Sequence, residues 1–239
     1  MPRTARITLA GIPQHIIQRG NNRQLCFASE QDMIAYAGWL RDYADKFEVD
    51  IHAWMLMTNH VHLLVTPYSA TSTSKMMQSL GRMYVRYFNR EYKRSGTLWE
   101  GRFKSCLVQS EQYLLECHRY IEMNPVAAKM VQHPAEYKWS SYRHNAQGKP
   151  SSLCTPHPEY TKLGKTTHER QVSYRTLFNG HIDPKIVKRI SATTQAGLAL
   201  GNKQFKQQVK ALENQARAAK RKARRDGLKN GNFCVYFDI

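Results

Sequence analysis

The chain reads as an α+β sandwich, on three observations. Two short apolar runs, residues 51–57 and 60–66, are broken by the turn-like pair Thr58-Asn59, the pattern of two paired strands. Two longer stretches, 30–47 and 72–92, carry apolar residues at helical spacing. Shorter strand patterns stand before the first helix and after the second. The order strand, helix, strand, strand, helix, strand is the βαββαβ succession of a ferredoxin-like antiparallel sheet with its helices over one face. A further helix over 111–125 is then available to cover the other face. Residues 1–147 are expected to form this domain and 148–239 a helical, basic C-terminal extension.

Gln14-His15-Ile16-Ile17-Gln18-Arg19 is the first strand, ended by Gly20-Asn21-Asn22-Arg23, a sequence suited to a tight turn with positive φ. Met33, Ile34, Ala37, Leu40, Tyr43, Ala44 and Phe47 give the first helix its apolar stripe. In the strand after Asn59, His60, His62 and Leu64 point to one face and Val61, Leu63 and Val65 to the other. The aliphatic set requires a core, which leaves the imidazoles on the opposite, more open face. Ser72-Thr73-Ser74 opens the second helix, with Met76, Met77, Leu80, Met83, Tyr84, Tyr87 and Phe88 as its buried stripe. Gly96 breaks the chain, and Trp99-Glu100-Gly101-Arg102-Phe103-Lys104 leads into a strand ending near Val108. Ser110 is a suitable N-cap for the next helix, with Glu111 in its first turn and Pro125 as its stop. Beyond it come an aromatic segment from Pro134 to Tyr142, a linker-like Gln147-Gly148-Lys149-Pro150-Ser151-Ser152, and helical pieces near 169–178, 184–193 and 202–225.

Composition narrows the partners. The 239 residues carry 36 Lys and Arg against 18 Asp and Glu, a formal charge of +18, which argues for a polyanion. Nucleic acid is favoured over a membrane, since no long apolar run or signal-type segment is present. Five cysteines (Cys26, Cys106, Cys117, Cys154 and Cys234) lack metal-site spacing and do not suggest a disulfide frame, so a cytoplasmic, nucleoid-associated protein is expected. Basic residues are expected along a phosphate backbone: Arg3 and Arg6, Arg82 and Arg86 on the second helix, and Arg102 with Lys104. Trp99 suits either base stacking or a core position. The run Arg217, Lys220, Arg221, Lys222, Arg224, Arg225 and Lys229 suits either a solvated tail or a DNA clamp.

Two histidines two apart on a strand put adjacent nitrogen donors where one divalent cation can sit; alone, they equally suit polar positions on a half-exposed strand. Tyr120 and Asn124, four apart, lie one turn from each other on a helix. A phenol and a carboxamide so placed offer a nucleophile and an oxygen ligand. Tyr113 and Glu116 share that helix face, which leaves the nucleophile's assignment open.

His60-Val61-His62, with Tyr120-Ile121-Glu122-Met123-Asn124-Pro125, resembles the HUH single-tyrosine nucleases. Gly11 through Arg23, Leu98 through Ser105 and Trp139-Ser140-Ser141-Tyr142, in that order, narrow the resemblance to the REP-associated tyrosine transposases. The resemblance implies a metal-dependent single-stranded DNA endonuclease and strand transferase acting beside palindromic hairpins. It implies Tyr120 as nucleophile, Mg²⁺ or Mn²⁺ held by His60, His62 and Asn124, and a 5′-phosphotyrosine intermediate. It also implies that Arg19, Asn21, Asn22 and Arg23 contact DNA, and that the protein is a monomer or weak homodimer. Two alternatives stand beside it: a non-catalytic hairpin-binding or regulatory protein, and a nuclease using activated water.

Overall fold

The computed structural model describes residues 8–229, with side chains at 216, 217 and 220–229 outside the description. The expectations for Arg3, Arg6 and Cys234 therefore lie outside the described residues, as do those for every side chain of the cationic run at 217–229. Two units are distinguished, one ending at Leu200 and one beginning at Gly201.

The first unit begins with β1 (Gln14–Arg19), a 3-10 turn over Asn21–Arg23, and α1 (Glu30–Lys46). Then come β2 (Val49–Met57), β3 (His60–Pro67), α2 (Ser72–Glu91), β4 (Lys104–Val108) and α3 (Ser110–Glu122). Short helices α4 (Asn124–Ala127), α5 (Tyr142–Gln147) and α6 (Pro158–Thr161) lead to α7 (Thr167–Thr176), α8 (Pro184–Ala196) and β5 (Ala199–Leu200). The sheet order is β2-β3-β1-β4-β5. The first four strands are antiparallel, in the ferredoxin-like order the sequence predicts, and β5 adds a parallel edge beside β4. The second unit is formed around α9 (Lys203–Lys229).

Strand alternation divides the core into two layers. Ile16, Leu56, Val61, Leu63 and Val65 pack under α1 and α2 with Tyr36, Leu40, Leu80 and Tyr84. Met55, Leu64 and Cys106 pack on the other face against Leu114, Cys117 and Ile121 of α3 and Ile190 of α8. Asp32 fixes the two outer helices to each other. It forms a capping box with Ser29 at the start of α1 and accepts the hydroxyls of Tyr87 in α2 (3.0 Å) and of Tyr92 at its C-cap (2.8 Å). Ile34 and Met83, expected on the buried stripes, are exposed instead. Each lies at the margin of a stripe wider than the neighbouring helix can cover.

Two local readings differ at α3. The N-cap is Gln109, not Ser110, because Ser110 already has helical geometry and no side chain caps the end. The helix ends at Glu122 and restarts as α4 with Pro125 in its first turn, so Asn124 sits at the break.

The expected boundary at 148 falls inside the first unit. Tyr174 of α7 is fully buried and donates to Oε2 of Glu122 on α3 at 2.8 Å. Oε1 of the same carboxylate accepts from Ser141 (2.5 Å) and Asn145 (2.9 Å). Burial pushes Glu122 up to about 7, opposed by these hydrogen bonds. A carboxylate with no cation beside it would be costly to bury without such donors, so residues beyond 148 complete the core of what precedes them.

Candidate functional site

The β1–β3 register builds the site. Arg19 pairs with His60 and Ile17 with His62, so His15, Ile17 and Arg19 share the histidine face of the sheet. The face is not open. His62 is only 2% exposed, because α3 and α8 lie over it, while His60 at the end of β3 remains half-buried. The rings of His60 and His62 are 4.9 Å apart, and that of Tyr120 is 5.7 Å from His62. The helix and strand motifs, some sixty residues apart in sequence, therefore meet at one place.

Each histidine is oriented by a hydrogen bond on Nδ1. His60 Nδ1 lies 2.6 Å from Oδ1 of Asn59, whose Nδ2 donates to the Arg23 carbonyl. His62 Nδ1 lies 3.0 Å from Nε2 of His15, and Nδ1 of His15 lies 2.9 Å from the Thr194 hydroxyl. Asn124 Nδ2 donates to the carbonyls of Tyr120 (2.6 Å) and Ile121 (3.2 Å), which leaves its amide oxygen for the His60 side, where the two side chains hydrogen-bond. A neutral His60 ring has one proton for two oxygen neighbours, Asn59 and Asn124. A cation beside Nε2 would satisfy the second, so the donor set fits a divalent ion. Among the described residues, no group of three His, Cys, Asp or Glu side chains could hold a metal, so such an ion would depend on the Asn124 oxygen.

Burial dominates the ionisation of these groups. It pushes His60 down to about 4 and His62 well below the ordinary histidine value, with Arg19 adding to both. Both imidazoles are thus neutral, the form that binds a metal. Burial also raises the Tyr120 phenol, while a hydrogen bond with Ser191 of α8 and the charge of Arg19 act in the opposite direction.

Of the two alternatives on the tyrosine face, Tyr113 is buried in the α3–α8 core with Arg189 over its ring, and Glu116 is paired with Arg119. Neither meets the histidines in any ring contact or hydrogen bond among the described residues.

The predicted DNA contacts gather in two grooves. One, of about 370 Å³, is lined by Arg19, Arg23, Arg102 and Lys104, on the side of the sheet that carries the histidines. Asn21 and Asn22 form the adjacent turn, where Asn22 and Arg23 adopt positive φ (49° and 58°), as the sequence suggested for this loop. The second groove, of about 750 Å³, lies beside α2 and is lined by Arg82, Arg86, Arg102 and Trp99. Trp99 is a core aromatic, 6% exposed and packed on Tyr36 and Tyr84, so its ring faces cannot stack on a base.

His15, Ser191 and Thr194 were not singled out from sequence. His15 carried a signal, a polar side chain on a strand facing the same way as Arg19. Ser191 and Thr194 carried none, since nothing local says that α8 returns to the sheet.

Comparison with known proteins bears on the family and the fold. Residues 8–124 match the family model described as Transposase IS200 like. The fold is similar to that of a REP-associated tyrosine transposase bound to a REP hairpin, with TM-score 0.51 and 17% identity over 66% of this chain and 93% of that one. A Deinococcus radiodurans R1 protein described as a candidate transposase aligns with TM-score 0.35 and 20% identity, over 49% of this chain and 98% of its own. No curated protein sequence matches. No helix among the described residues is long and apolar enough to cross a membrane. The motifs, the antiparallel sheet and the match to the IS200-like transposase model coincide over residues 8–124, just under half of the chain.

Proposed function

We propose that the protein is a REP-associated tyrosine transposase that cleaves and rejoins single-stranded DNA beside a palindromic hairpin. The observation that carries this reading is the meeting of Tyr120 with His60 and His62 under α3. The similar fold of a transposase bound to a REP hairpin supports the choice of substrate.

In this reading the Tyr120 oxygen attacks the scissile phosphorus, the bond from phosphorus to the 3′ oxygen breaks, and a 5′-phosphotyrosine forms. The phenolic proton is lost and the departing 3′ oxygen gains one. Attack by a 3′-hydroxyl on the phosphotyrosine reverses the exchange and frees Tyr120. Ser191 and Arg19 favour the phenolate, and Arg23, Arg102 and Lys104 hold the flanking phosphates. Mg²⁺ or Mn²⁺, held by His60, His62 and Asn124, would supply neutralisation of charge at the phosphate.

The test is incubation of the chain with single-stranded DNA from the flanks of its own gene, with Mg²⁺ or Mn²⁺, read on a denaturing gel. A covalent protein–DNA adduct, absent in Tyr120→Phe, is expected. Cleavage without an adduct would establish a water nucleophile, and binding without cleavage would establish a hairpin-binding protein.

A further inference from the structure

Arg19 lies directly across from His60 in the β1–β3 register, on the strand face that also carries His15 and His62. In such a cross-strand pair the Cβ atoms stand roughly 5 Å apart, so the guanidinium projects beside the His60 ring. The backbone is held on both sides. Pairing with β3 fixes one edge, and on the other the Arg19 carbonyl accepts the N–H of Glu100 at 2.9 Å.

Of the four cations that line the groove beside the histidines, Arg23, Arg102 and Lys104 are exposed, and Arg19 is half-buried. Among the described residues, no carboxylate pairs with its guanidinium. Glu100 lines the same groove and reaches Arg19 through the backbone only. Burial strips part of the hydration from this charge, and nothing in the free chain replaces it. The planar fork of an arginine matches the oxygens of a phosphate. The charge is also felt by the catalytic groups: it helps to push His60 and His62 down and acts to lower the Tyr120 phenol. A fixed cation beside two metal-ligating imidazoles works against a divalent ion there, unless an anion stands between the two charges.

We propose that Arg19 is a further catalytic residue, whose guanidinium holds a non-bridging oxygen of the scissile phosphate in position between Tyr120 and His60. The proposal rests on the nuclease reading above and names the group that the reacting phosphate meets. Arg19 forms and breaks no covalent bond and moves no proton. As the Tyr120 oxygen closes on phosphorus, its electron pair adds negative charge to the non-bridging oxygens. That charge drains to the 3′ oxygen as its bond to phosphorus breaks. A guanidinium fixed in place beforehand stabilises the phosphate most where its charge is greatest, between the two events. The same phosphate separates Arg19 from the cation, so DNA and metal each favour the binding of the other.

Three measurements on the full chain test this. On single-stranded flank DNA at saturation, Arg19→Ala should lower the single-turnover rate of adduct formation about 100- to 1,000-fold, and Arg19→Lys should recover part of the loss. A methylphosphonate at the mapped cleavage position replaces a charged oxygen by a methyl group. On that strand the gap between wild type and Arg19→Ala should close to within about tenfold. In EDTA, where nothing is cleaved, the slope of log K against log salt for labelled dT12 should fall by about one in Arg19→Ala. In the DNA-free chain, Mn²⁺ followed by electron paramagnetic resonance should bind Arg19→Ala at least as tightly as wild type, because a repelling charge has gone. A gap of equal size on both strands, or an unchanged salt slope, would overturn the proposal. Weaker Mn²⁺ binding by Arg19→Ala would overturn it too, since that marks a structural role. The two readings fail separately. Adduct formed by Arg19→Ala at the wild-type rate sinks the role of Arg19 alone. A reduced slope in the variant, with no adduct from wild type, sinks the nuclease and leaves Arg19 as a phosphate contact.

Discussion

His15 Nε2 lies 3.0 Å from His62 Nδ1, the middle link in a chain of hydrogen bonds that runs from the site to the backbone of α8. The direction of that chain can be read from its far end. The Thr194 hydroxyl donates to the Ile190 carbonyl (2.8 Å), so its oxygen must accept from Nδ1–H of His15. Burial pushes His15 down to about 3, so it is neutral, and Nε2 can only accept. His62 therefore carries its proton on Nδ1 and presents a lone pair at Nε2. Asn59 fixes His60 in the same tautomer from the other side.

Removing that support should weaken metal use; Thr194 lies one hydrogen bond further back, whereas the His15 ring itself lies 5.5 Å from that of Tyr120. Thr194→Val and His15→Leu are each expected to lower cleavage about 10- to 100-fold at limiting Mn²⁺, as changes behind metal-bound histidines do. The loss should shrink as the cation concentration is raised, and Thr194→Ser should restore most of it. A loss that is the same at every Mn²⁺ concentration would mean that the chain acts on folding and not on the His62 ring.

The site's two halves were legible because each motif sits on an element whose period fixes its facing. His60 and His62 follow from strand alternation, and Tyr120 and Asn124 from one helical turn. One part of the cover, α3, was legible in sequence, and the other, α8, was not. The open histidine face was inferred from β3 alone, and α8 closes it from about 125 residues further on in the chain. Trp99 was undecidable for the same reason: its partners Tyr36 and Tyr84 come from α1 and α2. The boundary drawn at 148 followed local composition, Gly and Pro among polar residues. That composition reports a loop and not whether the next helix packs back. Tyr174 packs back.

Truncation after Gln147 is therefore expected to leave a chain that does not fold. It removes Tyr174 and α8, and with them a donor to Glu122 and the cover over His62. In the full chain, Tyr174→Phe should cost on the order of 1–3 kcal/mol, since Glu122 loses a donor in a buried setting. Urea unfolding of the variant and circular dichroism of the truncation measure both. A cooperative transition in the truncated chain would restore the boundary at 148.

Acid should destabilise the fold through its buried histidines. His52 is held neutral between the Thr155 carbonyl and the Thr66 hydroxyl, each at 2.8 Å, and burial pushes it down to about 4. Below the ordinary value near 6.5 the unfolded chain takes up this proton and the native one does not, so stability falls as pH drops from 6.5 toward 4. His52→Gln keeps a donor and an acceptor but cannot titrate. Its stability should fall less steeply across that window, by up to about one proton, a total of roughly 3 kcal/mol. Glu122, pushed up to about 7, acts in the opposite direction, so the difference between wild type and variant isolates the histidine. Parallel curves of unfolding free energy against pH for the two proteins would contradict the assignment.

The last prediction concerns what the cationic groove reads. Arg19, Arg102 and Lys104 stand along it as positioning charges, whereas Arg23 extends from a turn at positive φ next to Asn21 and Asn22. Phosphate contacts fix register without sequence information, and contacts to base edges carry the sequence. The groove is lined from strand, turn and loop residues, with Gln195, which suits unpaired bases. Cleavage is therefore expected beside a hairpin on single-stranded flanks and should be nearly lost when the flank is annealed to its complement. Arg23→Ala should narrow the difference in cleavage between matched and scrambled flanks more than it weakens binding. Lys104→Ala should do the reverse, lowering affinity for every sequence and reducing the slope of log K against log salt by about one. The measurements are cleavage rates on four flanks, matched and scrambled, single-stranded and annealed, with salt-dependent anisotropy for each variant. Equal cutting of annealed and single-stranded flanks would remove the single-strand reading, and an unchanged flank preference in Arg23→Ala would leave the turn with a structural role alone.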